Sequence, residues 1–534
     1  MGGNREIMFL TGDGIKNFSE YSNKNILVPK YDRSVIKQKT ITNPEWIHFG
    51  AGNIFRAFQG NLVDRLLENN EIETGLLVCE GYDYEIIEKM YKPHDDLSIL
   101  VTLKADGTME KKVIGSIVDS YILDQNDSIE IKKLKDIFAK DSLKMVSFTI
   151  TEKGYVVKDS SGNLLPSTAK DIENGPDHSS SYIGKVVGLL YHRYLAGALP
   201  VAFVSMDNCS HNGDKLFDAV ITFAKGWVEN GKAEEGFVDY VTDEKSVSFP
   251  WSMIDKITPR PDENVAKALK EDGFEDLDQV IASKNTYVAP FVNAEETEYL
   301  VIEDKFPNGK LPLDKVGVIY TDKETVDKTE KMKVCTCLNP LHTSLAIFGC
   351  LLGYTTIHDE MDDEDLKNLV YTLGHKEGMK VVVNPGVLSP DEFLNAVLTK
   401  RLPNPFMPDT PQRIACDTSQ KIPIRFGETI KAYRKSDKLD TSSLILIPLV
   451  LAGYLRYLQG IDDSGNEFSL SPDPMLEELR KLSASDILKK QEIFAVDLFE
   501  DDLGNRILSI YDELCNGNGS VREVLHKYVH KAMA

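Results

Sequence analysis

Apolar residues fall along this chain in two rhythms. In the first part, short apolar runs recur at Trp46–Phe49, Gly75–Glu80, Ser98–Leu103, Met145–Ile150, Pro200–Met206, Val247–Phe249 and Val316–Tyr320. Helical periods separate several of them, as in Tyr182–Leu195 and Lys215–Val228, and Ile54, Phe58, Leu62 and Leu66 form an i+4 stripe. Runs that stay apolar without alternating suit strands buried on both faces, so a mostly parallel sheet covered by helices is predicted. Past Thr321 strand patterns become rare. Helical periods dominate in Thr343–Tyr354, Asp363–Leu373, Pro390–Thr399, Ser442–Leu458 and Asp473–Leu482. The reading is an α/β domain over 1–322 followed by a mainly α-helical one over 323–534. Residues 1–44 read as polar and irregular, with Asn43-Pro44 as a turn before the first ordered unit.

Charge narrows the partners. The 534 residues hold 84 acidic and 61 basic side chains, a formal net charge of −23. Such a surface repels phosphate backbones and anionic lipid, so neither nucleic acid nor membrane is expected as a partner. Seven cysteines, an odd number in a long chain, do not read as a disulfide framework. The N-terminal stretch MGGNREIMFL has no apolar run of secretory length. The most apolar later run, Leu444–Leu455, contains Pro448 and stops at Arg456, short of the ~18 residues that span a bilayer. A cytoplasmic protein is the expectation.

Chemistry first shows at Gly50-Ala51-Gly52, which follows an apolar strand and precedes the helical stripe. Strand, glycine turn, helix and strand make half of a Rossmann-like dinucleotide-binding unit. Gly50 permits a tight turn, and a bare Gly52 lets backbone N–H groups approach a pyrophosphate. Phe55 stands where the third glycine of GxGxxG belongs, so the motif reads equally well as a turn without a ligand. Glu80, ending the second strand, suits the two adenosine ribose hydroxyls and would repel a 2′-phosphate, favouring NAD. Its other reading is a solvated acid at a strand end.

The richest stretch is EKMKVCTCLNPLHTSLAIFGCLLGY. A lysine in apolar surroundings is desolvated, which lowers its pKa and makes Lys333 a usable general base. Asn339, His342 and Asn208 are candidate neutral donors for an oxygen gaining negative charge. Taken singly, each has a plainer reading: Lys333 as a surface charge, Asn339 as a cap before Pro340, His342 as a core histidine. Cys335 and Cys337 form C-x-C, but four zinc ligands at the usual spacing are absent, so no metal is expected. The acidic run Asp359–Asp365 reads as a solvated helix start whose carboxylates have no fixed geometry for a cation.

IHFGAGNIFRAF, TITEKGY, VSMDNCSHNG, VSFPWSMIDKITP, VIEDKFPNG, DKVGVIYTD, the Lys333–His342 stretch and RIACDTSQKIP follow one another in order. In this the chain resembles the polyol-specific long-chain dehydrogenase/reductase (mannitol dehydrogenase) family, which includes mannitol 2-dehydrogenase, fructuronate reductase and tagaturonate reductase. The resemblance implies a metal-independent enzyme using NAD, with a dinucleotide-binding domain, a helical domain and the active site in the cleft between. It implies Lys333 as general acid/base, Asn208 and Asn339 as the oxyanion-binding pair, and His342 as the group orienting a substrate hydroxyl. Asp255 would sit near the lysine, and Arg413 and Lys421 would reach the far end of the sugar chain. Cofactor contacts fall on Gly50, Gly52, Asn53, Ile54, Phe55, Glu80 and Thr151.

A uronate carboxylate needs basic partners, and Arg413, Lys421 and Arg425 are spaced to supply them. The SQKIP segment resembles the fructuronate reductase branch, which places D-fructuronate and D-mannonate first. Tagaturonate reductase and mannitol 2-dehydrogenase follow as alternatives, and a catalytically silent dinucleotide-binding sensor is the alternative of another class. A small sugar acid or polyol is then the partner, and a monomer or small homo-oligomer the expected state.

The chain departs from its relatives in four places. Lys333 lies six positions before Asn339 where the family has five, which turns a helical lysine by ~100° unless a bulge absorbs it; Lys331 is the fallback. Phe55 and Phe58 replace histidines of the turn, Ala289 stands at a common glutamate position, and Asn293–Glu298 looks inserted.

Overall fold

The structure, a computed structural model, describes residues 7–534. The chain forms two compact units, the first ending at Asp327 and the second beginning at Lys328, with Lys104–Gly107 belonging to the second.

The first unit is built on a six-stranded parallel sheet: β1 (Trp46–Phe49), β2 (Leu76–Glu80), β3 (Ile117–Ile122), β4 (Met145–Phe148), β5 (Val201–Ser205) and β6 (Val247–Ser248). Their order across the sheet is β3-β2-β1-β4-β5-β6, and every pairing is parallel. This is the doubly wound dinucleotide-binding order, and its direction reverses between β1 and β4, where Phe49 faces Phe148. Helices α1 (Gly60–Glu68), α2 (Ser128–Phe138), α3 (Tyr182–Leu195) and α4 (Asn212–Glu229) share one apolar core with the strands. Phe58, Leu62 and Leu66 of the i+4 stripe are buried there, as an amphipathic helix against a sheet requires.

Four readings change, the first at Val316–Tyr320, where the strand is Ile319–Thr321 and lies in a separate three-stranded sheet, parallel to Tyr299–Glu303. Residues 1–44 are not irregular throughout: Phe18–Asn23 and Arg33–Thr42 are helical, and Asp32 caps the second by accepting from the Ser34 and Val35 amides. Ser98–Leu103 is a strand, but it joins a separate four-stranded mixed sheet, antiparallel to Met109–Ile114 and parallel to Phe291–Glu295. Strand β3 was not foreseen, because polar Asp119 and Ser120 interrupt its apolar pattern.

The second unit is helical. Its helices include α5 (Asn339–Leu352), α6 (Glu364–Thr372), α7 (Leu446–Tyr457), α8 (Leu503–Leu514) and α9 (Ser520–Met533). Buried α7 packs against α5 and α8. The helical run Lys323–Leu352 has the length and apolarity to cross a membrane, yet 78% of its most apolar window is buried, the position of a core helix. None of the seven cysteines is joined in a disulfide.

Candidate active site

The glycine turn joins β1 to the helix that becomes α1. Gly50 has φ +107°, and a Cβ there would lie 2.2 Å from the Thr149 carbonyl oxygen, so only glycine fits. Its N–H donates to the Cys79 oxygen of β2 at 3.0 Å. Gly52 differs, since a Cβ on it would meet nothing within 4 Å. Protein packing does not demand glycine at position 52. A phosphate group approaching the backbone does, so the turn fits a dinucleotide.

Glu80 ends β2 as expected, and of its two readings the solvated acid does not hold. It is buried, and its carboxylate accepts from the amides of Ala51 (2.9 Å), Gly81 (2.9 Å), Tyr82 (2.8 Å) and Asp83 (3.3 Å). Three of the four donate to Oε1 and only the Ala51 amide to Oε2, so the carboxylate braces the turn and Oε2 keeps acceptor capacity. Burial raises its pKa, and the four amides oppose that only in part. Three residues on, Asp83 carries a buried Oδ2 without a hydrogen-bond partner. An unmet buried acceptor at the end of β2 is a place for a ligand hydroxyl.

Phe55 is fully buried and stacks on His48, ring centroids 4.3 Å apart, so its side chain is core. It opens a π-turn, Phe55–Gln59. Ile54 is half-buried. Asn53 offers Oδ1 to Arg56 Nη2 at 2.8 Å, and the buried Arg56 guanidinium also donates to the Ala289 oxygen at 2.6 Å. Ala289 thus contributes its backbone where relatives often carry a glutamate. In the segment that looked inserted, Glu298 pairs with Lys256 at 3.0 Å, next to Asp255.

Thr151, beyond β4, holds φ +65°, uncommon for a β-branched residue. Its amide donates to Asp207 Oδ1 at 2.9 Å, and the Ile150 amide to Asp207 Oδ2 at 3.0 Å. The Tyr155 hydroxyl also donates to Asp207, whose pKa burial nevertheless raises. Asp207 therefore fixes the loops after β4 and β5 together, and Asn208 follows it directly. Asn212 ties that loop to the strand Ser252–Asp255: its Nδ2 donates to the Asp207 oxygen (3.0 Å) and the Ser252 oxygen (2.9 Å), and its Oδ1 accepts from the Ser252 amide (3.0 Å). Asp255, the last residue of that strand, is buried.

In the second unit Lys333 is 2% exposed and begins a π-turn, Lys333–Cys337, in which the Leu338 amide donates to the Lys333 oxygen at 3.1 Å. A π-turn takes up one residue more than an α-turn, which is the bulge that the sixth step between Lys333 and Asn339 calls for. Asn339 then opens α5, with Pro340 in the first turn where its missing N–H costs nothing. One turn on, His342 Nε2 lies 3.4 Å from Asp409 Oδ2. Burial lowers the His342 pKa, and Asp409 counters it only partly. Burial would raise Asp409, but His342 and Arg413 together pull it below the usual carboxylate value.

Arg413 pairs with Asp409 and stays largely exposed. Lys421 donates to the carbonyls of Ile414 and Cys416, and burial, with nearby Arg425, lowers its pKa. The half-buried Arg425, which donates to Thr343 Oγ1, is brought down to about 10 by desolvation and so is still a cation at neutral pH. Lys421, Arg413 and Arg425 thus lie within electrostatic reach of one another, and Arg413 alone of the three pairs with Asp409.

Comparison with known proteins gives this arrangement its context. The family described as Mannitol dehydrogenase Rossmann domain matches residues 44–315, and Mannitol dehydrogenase C-terminal domain matches 325–515. The chain belongs to the mannitol dehydrogenase family. It is 48% identical to a D-mannonate oxidoreductase of Thermotoga maritima, over 98% of this chain and 99% of that one. It is 32% identical to a mannitol 2-dehydrogenase of Pyrenophora tritici-repentis, covering 91% and 80%. Among solved structures, the Pseudomonas fluorescens mannitol 2-dehydrogenase in ternary complex with NAD and D-mannitol is similar at TM-score 0.69 and 25% identity, covering 95% of this chain and 97% of that one.

Within this mannitol dehydrogenase fold the expected residues fall into two groups. Gly50, Gly52, Asn53, Ile54, Phe55, Glu80 and Thr151 gather at the C-terminal ends of β1, β2 and β4, beside the reversal of strand order. Lys333, Asn339 and His342 follow one another along a single helical run. Sequence reading missed Asp83, Arg56, Asp207, Asn212 and Asp409. Arg56, Asp207 and Asn212 lie inside the family motifs quoted above, but their work is to hold backbone and no spacing rule points to that.

Proposed function

We propose that this chain is an NAD-dependent oxidoreductase interconverting D-fructuronate and D-mannonate. The observation that carries the reading is the 48% identity with a D-mannonate oxidoreductase along nearly the whole of both chains. When bound, the cofactor would supply a hydride acceptor for the alcohol carbon as NAD and a hydride donor for the ketone as NADH. Gly50, Gly52 and the amides after them would hold the pyrophosphate, and Glu80 and Asp83 the ribose hydroxyls.

Lys333 takes the hydroxyl proton in oxidation and gives it back in reduction. Asn208 and Asn339 donate N–H groups to the oxygen as charge develops there, and His342, kept neutral by burial, orients a neighbouring hydroxyl. Asp255 shapes the polar surroundings of the lysine. Arg413, with donors to spare beyond Asp409, and Lys421 receive the substrate carboxylate. The grouping of Lys421 with Arg413 and Arg425 favours a uronate over a neutral ketose. A cytoplasmic setting and a monomer or small homo-oligomer belong to the same proposal.

The test is a substrate panel. Purified protein with NADH should consume the reduced cofactor with D-fructuronate, and much more slowly with D-tagaturonate or D-fructose. A preference for either of the latter would move the chain to tagaturonate reduction or mannitol oxidation. NADH binding without turnover on any sugar would make it a sensor.

A further inference from the structure

The acidic stretch at the start of α6 acquires a geometry that its sequence lacks. Asp365, in the first turn of α6, lies against α9, where His526 and His530 stand one helical turn apart. His526 Nδ1 is 2.9 Å from Asp365 Oδ1, and His530 Nε2 is 3.9 Å from the same oxygen. The two imidazoles are neighbours, ring centroids 4.1 Å apart, and all three ligand atoms lie within 4.8 Å of one another.

The other oxygen of Asp365 is engaged elsewhere. Arg522 Nη1 lies 3.4 Å from Oδ2, and that guanidinium is itself clasped by Asp363 at 2.9 and 2.6 Å. Arg522 therefore orients the carboxylate and leaves Oδ1 facing the histidines, as an outer partner orients a metal-ligating carboxylate.

We propose that Asp365, His526 and His530 form a divalent transition-metal site, with zinc as the probe, that clips the C-terminal helix α9 to α6. Two imidazole nitrogens and one carboxylate oxygen are borderline ligands that suit zinc rather than calcium or magnesium. Tetrahedral bonds of about 2.0–2.2 Å put ligand atoms about 3.4 Å apart, between the two distances seen here. Side chains of His526 and His530 are 61% and 46% exposed, so they can turn to close the site, and water can fill the fourth position. Without the ion, the Nδ1 proton of His526 is shared with Asp365. On binding, that nitrogen presents its lone pair to the metal and the imidazole proton moves to Nε2. The residues bridged are far apart in sequence, so the ion adds a cross-link that the unfolded chain lacks and should stabilise the fold.

The experiment uses the full chain, without a histidine tag and stripped with a chelator. One equivalent of cobalt should give weak visible bands without the strong near-ultraviolet band of thiolate ligation. Zinc should raise the melting temperature. Replacing both histidines (His526→Ala with His530→Ala) should weaken zinc binding by at least ~100-fold, beyond what loss of an outer partner costs, and leave the melting temperature without metal unchanged. Asp365→Asn alone should also weaken it. No stoichiometric uptake, a thiolate band, or a zinc shift that survives the double replacement would each overturn the site.

Discussion

At the glycine turn after β1, the backbone is to meet the ligand, and the polar side chains nearby are spent holding it. Glu80 takes four amides, Asp207 fixes two loops, and Arg56 pins Asn53 and the Ala289 carbonyl. In the stretch from Lys333 to His342 the arrangement is reversed. There, in the proposed function, side chains would carry the chemistry, and the backbone departs from regular helix at a π-turn that begins at Lys333. The difference teaches where each half tolerates change. A backbone cradle fails when a side chain is added to it, whereas a side-chain constellation fails when one is removed.

Lys333→Ala tests the second half and should have the largest effect. Loss of the proton-transferring amine should lower kcat by ~10²-fold or more, with NADH affinity within about twofold of wild type. Stopped-flow turnover and fluorescence titration read the two quantities separately. Near-normal turnover would pass the role to Lys331 and leave the π-turn a packing feature.

Gly52→Ala tests the first half. The new methyl meets no protein atom within 4 Å, so stability should change by no more than ~0.5 kcal/mol. Cofactor affinity should nonetheless fall by about tenfold, because the methyl occupies space kept for the pyrophosphate. Gly50→Ala gives the contrast: its methyl strikes the Thr149 carbonyl at a φ that costs ~1–3 kcal/mol, so melting temperature and affinity should fall together. If Gly52→Ala binds NADH as wild type does, the turn is not the cradle.

Much of the first half was legible in sequence, because strands buried on both faces are continuous apolar runs and glycine betrays a turn. The edge strand β3 was lost because Asp119 and Ser120 break its run, a pattern that the paired backbone permits at the edge of a sheet. Glu80 was found, but the amides it braces were not. A carboxylate at a strand end looks the same whether or not it also gathers backbone amides, and only the fold of Gly81–Asp83 around it shows that it does. In the second half the spacing of Lys333 and Asn339 signalled an irregular turn. Asp409 and the pairing of Asp365 with His526 were invisible, since contacts between residues so far apart in sequence leave no local period.

Asp409→Asn is the finest test of the comparison, because it alters neither the cradle nor a residue assigned to the reacting oxygen. His342 is held below its ordinary pKa by burial, and Asp409 is the opposing influence that keeps it from falling further. Removing that charge lowers the His342 pKa again, so protonation of the imidazole, and the loss of activity it brings, should begin at a lower pH. Turnover at neutral pH should fall by no more than ~10-fold, the smaller end for a group that orients a functional side chain. Stability carries a sign of its own. Asp409 is depressed when folded, so it stabilises the native state above the unfolded carboxylate value, and that contribution disappears as pH falls through the folded value. The variant should therefore be less stable than wild type at neutral pH and converge with it in acid. An acid limb that stays put, or moves upward, would show that His342 does not titrate in the reaction and that Asp409 only packs.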